Sequence, residues 1–464
     1  MRILQRNVLI FSAFFHILAA IFSEGFHRPD EYLGVFQWMQ LKLGDLPSSH
    51  LSWELKAQIR PWLHPYLFAT IVNFCKTIGL NNPFHQATFL RILCSLLGMI
   101  SIYQLSQLIL KSPKPDLYKK IALLSLASIW FLPFVHARTT AESLGMSFFI
   151  FAYFLFEERK TFTSGLMLGL SFIFRFQMIF MIAPFVLWHI LFTHLKISQH
   201  VKVFMGGLLV LGLSTLVDSV GYGNWTFTPY NYFYQNIILG ISSSFGVDPW
   251  WKYFDFIFFK AIPPISILFI FCTFYHWVTR PFSLFSFCTI PFFIVHSLIA
   301  HKELRFIFPL TIFLPFFMAE TLNKFPKIFK YTWKTYLYIS LPLLIYSSLT
   351  PAHSPIEFYK YLYQEKEPVT KIYTLNLVRD QLFFYQKNSI ELKYVSDTEI
   401  INDIFNNDKK PKWFLMDQFV HTEIFAAKTN CTLKYQSYSP LLINIGKIIG
   451  QEKRWKMWTL FKCD

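Results

Sequence analysis

Phe26-His27-Arg28-Pro29-Asp30-Glu31-Tyr32 follows the first apolar run and sets two adjacent carboxylates behind a proline. Ionisable groups this close to a bilayer are costly and usually functional. Around the stretch the chain is greasy: of 464 residues, 54% are hydrophobic, 15% are charged and 55 are Phe. A soluble domain carries about 25% charged residues. That balance, with repeated apolar runs of about twenty residues, specifies an all-α polytopic membrane protein. The net charge of +16 is then a matter of basic cytosolic loops beside an anionic leaflet, not of nucleic-acid binding.

Working outward from the stretch, residues 7–23 form the first span. Arg2 and Arg6 before it put the N-terminus in the cytosol. The run lacks a small-residue cleavage site and reads as an anchor. Residues 24–86 then lie outside, with five Lys/Arg against five Asp/Glu. Residues 62–80 are apolar enough to span but carry His64, Pro65, Asn73 and Lys76. Four lysines within 111–120 mark that loop as cytosolic, so parity makes 62–80 a juxtamembrane helix at the external interface. Spans follow at 87–110, 119–135 and 143–157. The 33 residues 162–194 carry Arg175 near the middle. As one helix they would be about 50 Å long, too long for a crossing of about 30 Å, so two crossings turning outside near Arg175 are expected. Spans 203–219, 255–278, 282–300, 305–322 and 332–349 bring the total to eleven and leave the C-terminus outside.

Residues 1–350 therefore form a transmembrane domain with external loops 24–86 and 220–254. Residues 351–464 differ in character. Short β-like runs at 371–375, 392–395, 413–416 and 433–438 alternate with polar segments such as 402–410, which predicts a small external α/β domain. The six cysteines, at 75, 94, 272, 288, 431 and 463, form no CxxC pair. Neither a metal site nor a disulfide framework is expected.

This topology gathers polar residues on the external face: Asp30, Glu31, Trp53, Glu54, Arg60, Arg138, Glu142, Arg175, Asp218, His301, Lys302, Glu303 and Arg305. A carboxylate pair suits general-base work or metal binding. Clustered Arg, Lys and His suit a phosphate. Together beside lipid they suggest transfer from a lipid-linked phosphosugar. Asp30 would take the proton of an acceptor hydroxyl, and cations would stabilise the departing phosphate. Tyr222, Asn224, Trp225, Tyr230, Asn231, Trp250 and Trp251 of the 220–254 loop suit sugar binding, the aromatic faces stacking on pyranose rings, although composition alone favours an interfacial aromatic belt.

Several ordered motifs carry a family resemblance. Pro29-Asp30-Glu31-Tyr32 resembles the HPDE-type motif of glycosyltransferase family 22, the dolichyl- and polyprenyl-phosphate-mannose-dependent mannosyltransferases. Trp53-Glu54, then Arg60-Pro61-Trp62-Leu63-His64-Pro65, looks like that family's first external loop. Asp218 through Tyr222-Gly223-Asn224-Trp225-Thr226, Phe245-Gly246-Val247-Asp248-Pro249-Trp250, and His301-Lys302-Glu303-Leu304-Arg305-Phe306 look like its later signatures. The Trp-Glu and Pro-Trp segments lean toward the branch that adds the third mannose to glycosylphosphatidylinositol, and its bacterial relatives. Two positions depart: Arg28 separates His27 from Pro29, and Gly34 stands where the family commonly has Gln, with Gln37 one helical turn further on.

The resemblance implies a GT-C fold, a polyprenyl-phosphate-mannose donor, inversion to an α-linked mannose, a glycolipid or glycan acceptor, and no cofactor. It implies Asp30 as base, with Glu31 positioning the acceptor or supporting Asp30. His301, Lys302 and Arg305, with Arg138 and Arg175, would bind the donor phosphate. Trp53, Glu54, Arg60, Asp218, Tyr222, Trp225 and Trp250 would contact substrate. A transferase for another lipid-linked sugar would share this site. A lipid or small-molecule transporter would need polar groups distributed through the spans and on both faces, whereas here they gather on one face. Abundant Phe, Ile and Lys point to a bacterial inner membrane and a periplasmic site; in a eukaryote the counterpart is the ER membrane and lumen.

Overall fold

The first apolar run folds as helix α1, Arg2–Phe22. In the computed structural model, residues 1–464 are described except 195, 354, 368, 375–381, 388–389, 395–411, 450–455 and 464. Among the described residues four helices are singly long and apolar enough to cross a membrane: Arg2–Phe22, Pro83–Lys111, Ile197–Tyr222 and Leu304–Lys324. Ile265–Thr279 and Leu284–Leu298 pass the same test together but are bent by 117°. The protein is thus a multi-pass membrane protein.

Other expected spans are built from shorter pieces, so length and apolarity alone do not yield eleven. Asp116–Ser128 runs for 13 residues before Ile129 turns extended, and Leu132–Ala137 follows separately. The 255–278 run divides at Ala261–Pro264, where two consecutive prolines remove backbone donors. The stretch 62–80 contains the 15-residue helix Leu63–Thr77. The 162–194 run breaks at Arg175, which is extended (φ −146°, ψ 103°) between Thr161–Phe174 and the turn Phe176–Met178.

By contact density the chain forms two units: Met1–Ser23, Leu33–Leu80 and Gln86–Thr350 in one; Glu24–Tyr32, Asn81–His85 and Pro351–Asp464 in the other. The first unit is centred on buried apolar side chains that include Leu126, Met146, Phe149, Phe185, Phe292 and Phe317. Small hydroxyl side chains let its helices approach closely: Ser164 Oγ donates to Ala152 O at 2.8 Å, and Ser171 Oγ to Gly145 O at 2.7 Å.

The second unit holds a mixed sheet. Strand β1 (Lys371–Thr374) runs parallel to both β2 (Glu391–Tyr394) and β3 (Lys412–Gln418). Strand β5 (Lys456–Cys463) is antiparallel to β3 and to β4 (Thr432–Gln436), giving the order β2-β1-β3-β5-β4. Phe414, Met416, Phe425 and Phe461 pack on one face. Leu375, Val395 and the polar segment 402–410 lie outside the described residues.

The expectation of no disulfide is corrected: Cys431 and Cys463 are bonded, with Cα atoms 4.4 Å apart. The β4–β5 register sets Thr432 opposite Lys462, so the flanking cysteines meet although 32 residues separate them.

Candidate active site

The stretch 24–32 belongs to the second unit. Arg28 is extended (φ −140°, ψ 152°), as a residue before proline prefers, and Pro29 opens the one-turn helix Pro29–Glu31. Glu31 is 1% exposed, and its Oε2 accepts the His27 backbone N–H at 2.8 Å. That bond closes the turn. Asp30 is half-buried on the same turn. The two neighbouring acids therefore differ: one carboxylate is folded inward onto the backbone, the other sits near the surface. Tyr32–Phe36 continues as a π-turn, a form of helix often found at functional positions.

In the first unit the basic residues separate into three settings. Arg175 and Arg305 come together on Glu142, at the start of helix Ala141–Glu157. Arg175 Nη1 is 2.8 Å from Glu142 Oε1, and Arg305 Nη1 is 3.4 Å from the same oxygen. Arg305 also grips Glu303, through Nε at 3.0 Å and Nη2 at 2.9 Å. His301 Nε2 lies 3.4 Å from Glu303. Both guanidiniums sit over the Phe306 ring, at 5.2 and 5.0 Å. All three of Glu142, Arg175 and Arg305 are buried. Arg175 Nε and Nη2, Glu142 Oε2 and His301 Nδ1 have no hydrogen-bond partner among the described residues. Buried donors of this kind normally find partners, so the cluster can take up an anion through the free edge of a rigid guanidinium fork.

Lys302 is in a different setting. Its Nζ donates to Asp248 O at 2.9 Å and Ile299 O at 2.7 Å. It is 3% exposed, and burial lowers its pKa against the opposing pull of Asp248. It ties the 248 loop to the segment before the signature. Arg138, 1% exposed, is engaged at the end of α1, where it donates to Ser23 O and Oγ. Arg91 Nε donates to Ala20 O at 2.8 Å. Two arginines thus satisfy carbonyls that the last turn of a helix leaves open.

The expected substrate contacts also divide. Asp218 receives the Trp62 N–H at 2.7 Å on one oxygen and the Thr228 hydroxyl at 2.5 Å on the other. The Tyr222 hydroxyl donates to Arg60 O at 2.8 Å, and Arg60 pairs with Glu54 through Nε at 2.9 Å and Nη2 at 2.8 Å. Trp38, Trp62 and Tyr222 pack edge to face. Glu54, Arg60, Asp218 and Tyr222 therefore join the first loop to the end of helix Ile197–Tyr222. Trp225 and Trp250 stand on the surface, 76% and 64% exposed, and Trp53 is 36% exposed. The Gly34 departure has a local reason. A Cβ there would lie 3.0 Å from Arg60 Cζ, so glycine makes room for the paired guanidinium.

Residues 7–390 match the Alg9-like mannosyltransferase family. The chain belongs to that family. The match takes in the Pro29–Glu31 turn, the Arg175 break and the His301–Arg305 signature. It also covers the first part of the second unit, through β1. Similar family members include GPI alpha-1,2-mannosyltransferase 3 of Danio rerio, 26% identical over 335 residues, 70% of this chain and 61% of that protein. The Homo sapiens protein of the same name is 24% identical over 358 residues, 74% of this chain and 62% of its own. GPI mannosyltransferase 3 of Candida albicans is 26% identical over 335 residues, covering 69% and 64%. The chain thus spans about three fifths of the length of the curated relatives it matches. Among solved structures, ArnT from Cupriavidus metallidurans bound to undecaprenyl phosphate superposes with a TM-score of 0.57 at 12% identity, over 98% of this chain and 97% of that one. At that identity the likeness is one of fold, the GT-C architecture.

Three features of this family member escaped the sequence: Glu142 as the shared partner of two arginines, Thr228 on Asp218, and the attachment of residues 24–32 to the second unit. Glu142 carried a signal, an acid among apolar residues. The other two carried none.

Proposed function

We propose that the chain is an inverting membrane mannosyltransferase that moves mannose from a polyprenyl-phosphate-mannose donor to a hydroxyl of a glycolipid or glycan. The observation that carries this reading is the buried Arg175–Glu142–Arg305 cluster, in which Arg175 Nε and Nη2 have no partner among the described residues, in a chain of the Alg9-like family. The acceptor oxygen attacks the sugar's anomeric carbon. Its proton passes to Asp30 as the bond to the phosphate oxygen breaks and the electron pair leaves with the lipid phosphate. Arg175 and Arg305 stabilise that departing charge. Lys302 and Arg138 act by holding the loop and the helix end in place. Glu31 shapes the turn that presents Asp30. Glu54, Arg60, Asp218 and Tyr222 frame the first loop, leaving Trp53, Trp225 and Trp250 as the surface aromatics for glycan or lipid. The Cys431–Cys463 disulfide favours an oxidising compartment for the second unit, periplasmic or lumenal.

Membranes holding the protein, incubated with labelled polyprenyl-phosphate-mannose, are expected to yield a mannosylated lipid or glycan. Asp30→Asn should lower turnover by about 10²–10⁴-fold with the protein still folded. Near-normal turnover of that variant would remove Asp30 as the base.

A further inference from the structure

The turn that carries Asp30 is held at both of its ends by the C-terminal part of the chain. At the leading end, Glu24 O accepts the backbone N–H of Ala352 at 2.8 Å and of His353 at 3.3 Å. The Glu24 carboxylate pairs with Lys360, which also reaches Glu357 at 3.3 Å. Gly25 has φ +78°, and a Cβ there would come within 2.7 Å of His353 Cβ, so only glycine lets the two backbones meet. Phe26 is 4% exposed and stacks on the His353 ring, centroids 4.0 Å apart. At the trailing end, the Tyr32 hydroxyl accepts the Phe384 N–H at 3.0 Å, and Tyr32 is 2% exposed. Phe26 and Tyr32 close on each other at 5.8 Å. Between these anchors the Glu31–His27 bond shuts the turn.

We propose that the second unit serves as the positioning element for Asp30, with His353 and Tyr32 as positioning residues that fix the 24–32 turn through the Phe26 stack and the Phe384 N–H. This rests on the reading of Asp30 as the base. Its physical basis is that a reacting group must be held to within a fraction of an ångström, and a loop cannot do this unless its ends are fixed. Burial agrees with a neutral, stacked imidazole: desolvation lowers the His353 pKa to about 4.

The test uses the full chain in detergent or membranes and two readouts: amide hydrogen exchange of residues 24–32, and transfer kinetics with labelled polyprenyl-phosphate-mannose. His353→Ala is expected to speed exchange in 24–32 by about tenfold or more. It should lower kcat by about 10²-fold while donor KM stays within about twofold, because the phosphate-binding residues are untouched. His353→Phe keeps a ring on Phe26 and should restore both. Tyr32→Phe removes only the hydroxyl and should give a smaller change of the same kind. Unchanged exchange in His353→Ala, or faster exchange with kcat unaltered, would overturn the proposal. If the wild-type chain transfers no mannose, the transferase reading fails, and the positioning role with it, whatever the exchange data say of the brace.

Discussion

Asp30 and Glu31 look equivalent as letters, yet the fold treats them differently. Glu31 spends a carboxylate oxygen on the His27 N–H and is buried; Asp30 is half-buried. The same contrast runs through the basic residues. Lys302 is spent on backbone oxygens, whereas Arg175 keeps two buried donors unpartnered among the described residues. Glu142 is the residue on which this depends, because one of its oxygens holds two guanidiniums. Glu142→Gln leaves two buried cations without that counter-charge. Losing one partner of a buried ion pair costs about 3–5 kcal/mol. Thermal unfolding of the detergent-solubilised variant should show that loss as a clear drop in midpoint. A midpoint equal to wild type would mean that Glu142 is not what compensates the arginines.

Elements differ in how much of them the sequence discloses. Apolar run length marks the four long apolar helices, and the length argument anticipates the break at Arg175, since 33 helical residues would be about 50 Å long against a bilayer core of about 30 Å. The His301–Arg305 signature is legible because its charges interrupt apolar sequence. Register is another matter. Nothing in the spacing of Cys431 and Cys463 pairs them; the β4–β5 ladder does. Cysteine alkylation of the denatured, unreduced protein should therefore modify four of the six cysteines, Cys75, Cys94, Cys272 and Cys288. Six modified cysteines would show that the bond does not form. The brace on residues 24–32 was equally hidden, because its parts are an ordinary histidine stack and backbone hydrogen bonds. The roles of Asp218 and Tyr222 were obscured for a related reason: polar residues that bind substrate and polar residues that fasten a loop have the same composition.

For the molecule as a whole, a cut after Thr350 divides the sequence neatly but not the fold. The second unit includes Glu24–Tyr32 and Asn81–His85 as well as the C-terminal residues. A chain ending at Thr350 would keep the long apolar helices and lose every partner of the 24–32 turn named above. It should insert into membranes, show new protease cleavage within 24–32, and transfer less mannose than His353→Ala. Transfer at the wild-type rate by the shortened chain would show that the C-terminal residues are dispensable for turnover.

The hydrogen bond between Tyr32 and Phe384 joins positions 352 residues apart. A ribosome adds about 5–20 residues per second and synthesises the N-terminal side first, so α1 and the turn behind it are made well before their anchors exist. During that interval the stretch from Glu24 to Tyr32 has none of its long-range supports. The turn bearing Asp30 is therefore made well before the residues that hold it, and it takes its final shape only after they have followed.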